Sequence, residues 1–283
     1  MDPNVAGSSP VGRPIFHLEW ILSLFEALIL GLVQGVTEFL PISSSAHLQF
    51  TRWFLGVAES DSLQYFDLAC HAGTVLAVVI YLRKQVVRIL TSWSYLLSFS
   101  LALIPLIPVY LALQPFREAL SQPNLIGYGL LMTSMMLFFT SKYGREKQNS
   151  LESLSSASRL KWQDMLCIGV MQTLALMPGI SRSGSTMTAA RLRGWSWLDA
   201  ARFSFLLAIP SVLGGELLET MRLMKGGSET LPSSYCAIGF FSAFGCGLLS
   251  IRWIFQCYQT FNVRPFAYYC AGAGLLALGL FHA

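Results

Sequence analysis

The sequence predicts an all-α integral membrane protein with six transmembrane helices plus two re-entrant helix–loop–helix hairpins, related as an inverted-topology repeat. Three observations carry that prediction. Of the 283 residues 54% are hydrophobic and only 12% are charged, against about 25% charged in soluble domains. Apolar runs recur at 69–82, 95–113, 125–140 and 203–218, in the manner of helices that cross a hydrocarbon core. Finally, two polar strings interrupt this background and resemble each other.

The first string runs from Gly31 to His47 (GLVQGVTEFLPISSSAH) and the second from Gly169 to Thr186 (GVMQTLALMPGISRSGST). Aligned without a gap they share Gly31/Gly169, Gln34/Gln172, Ile42/Ile180, Ser43/Ser181 and Ser45/Ser183. One copy carries Glu38 and His47, the other Arg182. A stretch from 20 to 40 is long enough to cross, yet Pro41 lacks a donor and disfavours a helical Leu40, so the helix breaks there. Ser43 or Ser44 then caps a short second helix running through His47 towards Trp53. The second copy reads alike: a helix from about 163 to 177, a break at Pro178-Gly179, and a helix through Thr188 towards Arg193.

Spans are predicted near 66–82, 95–113, 125–140, 199–220, 235–255 and 265–282. Arg83, Lys84 and Arg88, and the basic residues of the polar stretch 141–163, place those connections in the cytoplasm by the positive-inside rule. The connections around 59–61 and 114–123 face outside, 252–264 lies inside, and the C-terminus lies outside. The first hairpin therefore enters from outside and the second from inside, and their tips face each other near the midplane. Irregular backbone at that depth has to be buried in protein or line a wet cavity. Residues 1–19 form a polar N-terminal tail, and 20–283 a single polytopic domain, with repeat one at about 20–113 and repeat two at about 163–255. No removable signal peptide is expected. A net charge of +4 without a basic run argues against nucleic-acid binding. The six cysteines lack Cys-x-x-Cys spacing and read as small apolar packing residues rather than disulfides or zinc ligands. Gly31, Gly35 and Gly73 read as close-packing positions, and the small residues at 271–274 could support a homodimer.

Charges at membrane depth are costly, so Glu38 and Arg182 call for a function or an ion pair. Arg182 stands between Ser181 and Ser183 at a helix start, where free amides and a guanidinium favour an anion such as phosphate, with Thr186 one turn on. Glu38 follows Gln34 by four residues on one helix face and can orient a divalent metal or act as a base. His47 lies near Ser43, Ser44 and Ser45 and could exchange protons with a hydroxyl; either Ser44 or a water activated by the same groups is the nucleophile. Asp67, His71 and Thr74 share one face of the first span, as an interfacial cluster or a second shell of the site. The same residue types would serve a secondary transporter or lipid flippase, with Glu38 and His47 as a proton relay and Arg182 as an anion clamp.

The strings from Gln34 to His47 and from Pro178 to Thr186 closely resemble the undecaprenyl-diphosphate phosphatase family, the bacitracin-resistance proteins. So do Phe66-Asp67, His71-Ala72-Gly73-Thr74 and the segment from Phe203 to Pro210, and the resemblance runs from about Trp20 to the C-terminus. It implies hydrolysis of undecaprenyl diphosphate, a polyprenyl diphosphate lipid, to the monophosphate carrier used in peptidoglycan synthesis. It also implies a divalent cation, magnesium or calcium, near Glu38, a bacterial inner-membrane location, and a site open to the outer face. Family members carry Glu or Gln where this chain has Gln34. A scheme with two carboxylates on one metal therefore needs another residue, such as Asp67.

Overall fold

The structure is a computed structural model that describes residues 22–58, 60–120, 122–144, 160–226, 231–257 and 262–281. The predicted tail 1–19 and most of the polar stretch 141–163 lie outside the described residues. Within them the chain is helical, with no strand. In chain order the α-helices are α1 (Leu24–Thr37), α2 (Ser44–Leu55), α3 (Asp61–Tyr81), α4 (Arg83–Thr91), α5 (Trp93–Leu103), α6 (Leu106–Leu113) and α7 (Arg117–Leu120). They continue as α8 (Asn124–Tyr143), α9 (Trp162–Thr173), α10 (Arg182–Leu192), α11 (Trp197–Gly226), α12 (Ser233–Cys257) and α13 (Arg264–Phe281).

Five stretches are long and apolar enough to cross a membrane: Ser62–Tyr81, Trp93–Phe116, Asn124–Tyr143, Trp197–Lys225 and Ser233–Cys257. The sixth predicted span corresponds to α13, an 18-residue helix that opens on Arg264-Pro265 and falls outside that set. The run at 95–113 is not one uninterrupted helix, because Ile104-Pro105 separates α5 from α6. Proline withholds a donor and clashes with the preceding turn. Large apolar side chains such as Phe25, Trp93, Phe241 and Leu249 cover the outer surface, which suits a lipid surround.

Local chemistry sets the helix starts. Ser23 and Glu26 form a capping box at α1, with Glu26 N donating to Ser23 Oγ (3.2 Å) and Ser23 N to Glu26 Oε2 (2.7 Å). Ser60 Oγ caps α3 by accepting from Leu63 N, and Ser181 Oγ caps α10 by accepting from Gly184 N. Ser43 occupies the cap position of α2 but makes no side-chain cap. Its backbone sits at φ +69°, the only non-glycine with positive φ among the described residues, and its hydroxyl turns to Ser45 Oγ instead. The expected serine cap is therefore a strained bend.

α12 is the packing partner of both α1 and α3. A Cβ on Gly31, Gly35 or Gly73 would meet backbone oxygens of Gly239, Ala243 and Phe240 at 2.8, 2.6 and 2.4 Å, so only hydrogen fits there. α13 packs on α8, and Gly274 of the proposed small-residue face is already used inside the chain, against Gly127 and Leu131. The six cysteines are free.

Candidate active site

The two polar strings fold as helix–break–helix segments whose breaks touch. In the first, α1 ends at Thr37 and turns carry the chain to Ser43. Phe39 is fully buried and packs on Phe205 of α11, ring centroids 5.2 Å apart, which fixes the peptide beside Glu38. In the second, α9 runs into a 3-10 turn at Leu174–Leu176 and the chain reverses at Gly179, φ +84°. α8 supports that reversal: Thr133 Oγ1 accepts from Ser181 N (3.0 Å), and Gly129 lies so close to Pro178 that a Cβ would meet its carbonyl oxygen at 2.1 Å. Across the breaks, Ser183 Oγ donates to the Leu40 carbonyl (2.9 Å).

Glu38 is the hub. Its Oε1 accepts from Arg182 Nη2 at 2.5 Å, and its Oε2 accepts from Gln34 Nε2 (2.9 Å) and Ser44 Oγ (2.7 Å). Three donors on one nearly buried carboxylate offset the cost of taking its charge from water. Glu38, Ser43, Ser44, Ser45, Ser181, Arg182 and Ser183 line a cavity of about 220 Å³, with His71, Gln172 and Ser211 also in its wall. Of the residues predicted for the site, Gln34 lies fully buried behind Glu38 rather than in the cavity wall. Thr186 is buried too, donating to Ser204 Oγ at 2.7 Å.

His47 is not brought to this cavity. Its Nδ1 donates to the Ser43 carbonyl (2.7 Å), which leaves Nε2 to accept from the Tyr269 hydroxyl (2.7 Å). The two rings stack, with centroids 5.5 Å apart, beside a groove that Thr37, Phe50, Phe54 and Tyr268 also line. The histidine that does face the cavity is His71, whose Nδ1 lies 2.7 Å from Glu216 Oε1 of α11 as an ion pair off the line of a well-formed hydrogen bond. His71 also lines an adjoining cavity of about 480 Å³ with Asp67, Gln64, Glu216 and Glu219. Asp67 itself is paired with Arg52 of α2, and Thr74 donates to the His71 carbonyl. Glu216 and Ser211 were not singled out from sequence, although a carboxylate inside the apolar run 203–218 is itself a signal.

The chemistry of the donors bears on a cation. Among the described residues no three His, Cys, Asp or Glu side chains gather as a protein-only cage. Beside Glu38, the buried Gln34 Oε1 has no hydrogen-bond partner, but Gln34 stands outside the cavity wall. The Glu38 carboxylate, which faces the cavity, fits a hard divalent cation whose other ligands are phosphate oxygens and water.

Comparison with known proteins places the whole chain. An undecaprenyl-diphosphatase of Protochlamydia amoebophila is 37% identical over 258 residues, covering 90% of this chain and 97% of that protein. One of Parabacteroides distasonis is 35% identical over 276 residues, covering 91% and 98%. Undecaprenyl-diphosphatase 4 of Bacillus cereus is 33% identical over 264 residues, covering 92% and 98%. The family model described as bacitracin resistance protein BacA matches residues 27–276, which takes in both breaks and everything between them. This chain, a multi-pass membrane protein by its helices, belongs to the BacA bacitracin-resistance family.

Proposed function

We propose that the chain hydrolyses undecaprenyl diphosphate to undecaprenyl phosphate and inorganic phosphate, which recycles the lipid carrier of peptidoglycan synthesis and confers bacitracin resistance. The observation that carries this reading is the joining of Ser44, Glu38 and Arg182, from two distant breaks, in one hydrogen-bonded row along one cavity. Phosphoryl transfer asks chiefly for positioning and for electrostatic stabilisation of the transferring group, and this row supplies both. No observation favours a transporter or flippase.

In the proposed mechanism the terminal phosphate enters between the breaks, and its oxygens take over the Arg182 N–H groups now on Glu38. Ser181, Ser183 and Ser45 supply further hydroxyls. Ser44 Oγ attacks the terminal phosphorus, its proton passes to Glu38, and the bond to the bridging oxygen breaks, releasing the lipid monophosphate. Water then hydrolyses the phosphoserine. The alternative is direct attack by water held at Ser44. Glu38 is the residue that would hold magnesium or calcium, which when bound would neutralise charge on the diphosphate. His47 acts from outside the cavity, by holding the start of α2.

The proposed membrane arrangement has six spans, with α13 as the last, and both helix–break–helix segments re-entrant as an inverted repeat (about 20–113 and 163–255). The site opens to the outer face of a bacterial inner membrane, and the outward small residues of α13 are the surface a homodimer would use. The test is phosphate release from undecaprenyl diphosphate by purified protein in detergent, with and without chelator, beside Glu38→Ala and Arg182→Ala. Release that needs metal and disappears in both variants supports the reading. No release from folded protein with metal present overturns it.

A further inference from the structure

Gln172 occupies in the second segment the place that Gln34 holds in the first, and the two differ in what their amides meet. Gln34 Nε2 reaches Glu38, four residues on and on the same helix face. The residue four positions after Gln172 is Leu176, which offers no acceptor. Gln172 is 1% exposed, yet neither Nε2 nor Oε1 has a hydrogen-bond partner in the protein. Buried side-chain polar atoms are nearly always paired, and leaving an amide unpaired costs the full desolvation of a donor and an acceptor. This amide lines the 220 Å³ cavity with Ser181, Arg182, Ser183 and Ser44.

We propose that Gln172 is a substrate-contacting residue that reads the terminal phosphate as a singly protonated group. Its Nε2 donates to a phosphate oxygen and its Oε1 accepts from the phosphate hydroxyl. Arg182 only donates, so it binds phosphate oxygens and cannot recognise that hydroxyl. A primary amide presents a donor and an acceptor side by side, which complements a phosphate bearing both P–O⁻ and P–OH. The same contact holds inorganic phosphate after cleavage, so Gln172 also sets how strongly this product inhibits. The absence of a carboxylate at position 176 is what leaves the second glutamine free for a ligand while the first is committed.

This inference rests on the phosphatase reading, and one experiment separates the two. Full-length wild type, Gln172→Leu, Gln172→Glu, Gln172→Met and Arg182→Ala are compared for phosphate release from undecaprenyl diphosphate, inhibition by inorganic phosphate, and Tm. The expected result for Gln172→Leu is an unchanged or higher Tm, because an unpaired buried amide is gone, with KM and the phosphate inhibition constant each raised tenfold or more. Gln172→Glu should lose a hundredfold or more in kcat/KM, since its charge faces the phosphate. Gln172→Met repeats the Leu test with an unbranched side chain should the Leu variant fail to fold. Kinetic constants within twofold of wild type in Gln172→Leu or Gln172→Met overturn the inference. So does a lowered Tm with unchanged KM and inhibition constant, which would make the amide a fold determinant. If wild type releases no phosphate, the phosphatase reading falls; if wild type is active, Arg182→Ala is dead and Gln172→Leu behaves normally, only the present inference falls.

Discussion

Arg182 Nη2 donates to Glu38 Oε1 at 2.5 Å although 144 positions separate the two residues in sequence. The pair closes the space between the breaks, and Ser183 Oγ on the Leu40 carbonyl closes it a second time. Removing one partner of a buried pair strands the other charge, at about 3–5 kcal/mol, whereas removing both can be nearly neutral. Arg182→Met and Glu38→Gln should therefore each lower Tm, and the double variant should be more stable than Arg182→Met alone. Thermal denaturation of the three proteins decides this; additive losses would mean that the two charges do not hold each other. Arg182→Lys keeps a charge but loses the planar fork, and phosphate release should fall by about 10²–10³-fold.

Among the described residues Ser44 is the one hydroxyl bonded directly to the Glu38 carboxylate. Ser44→Ala should reduce turnover to background, and wild type stopped in acid during turnover should carry phosphoserine at 44. Substantial turnover in Ser44→Ala would assign the attack to water.

His47 and Tyr269 form one hydrogen-bonded, stacked unit outside the cavity. His47→Gln and Tyr269→Phe should change kcat by similar factors, and the double variant should lose little more than either, as coupled neighbours do. A loss confined to His47→Gln would give the imidazole a role of its own. His71, in the cavity wall against Glu216, should be the more damaging histidine to replace by Gln.

Ser43 holds a backbone bend at φ +69° that costs a residue with a side chain about 1–3 kcal/mol. Ser43→Gly should raise Tm, because glycine adopts positive φ freely, and should lower turnover by loosening the serine run. A fall in Tm would show that the Ser43 hydroxyl outweighs the strain.

Much of this was legible in the sequence. Pro41 and Pro178-Gly179 announce the breaks because proline and glycine punctuate helices for local reasons. The paired strings identify Glu38, the serines and Arg182 because charges and hydroxyls at that depth need partners. Gly31, Gly35 and Gly73 announce close packing. The direction of His47 was not legible. After a break with positive φ at Ser43 the phase of α2 is free of the phase of α1, so spacing alone cannot aim the imidazole. Glu216 was visible as a carboxylate in an apolar run, but its pairing with His71 was not, because the packing of α11 on α3 that joins them is encoded by no local pattern. Gln172 was visible as the mirror of Gln34, but its unpaired amide emerges only once Leu176 and the cavity are placed.

The reliance of α1 and α3 on α12 reaches beyond packing, into synthesis. Gly31, Gly35 and Gly73 lie against Gly239, Ala243 and Phe240, residues that leave the ribosome well after α1 and α3. Until then the glycine-lined flanks of α1 and α3 lack the helix they fit, and Glu38 and Ser44 have no settled platform. On the proposed mechanism, assembly of the row from Ser44 to Arg182 would therefore wait for a helix that contributes no residue to the 220 Å³ cavity. A nascent chain halted before α12 would hold both polar breaks and still lack a working enzyme.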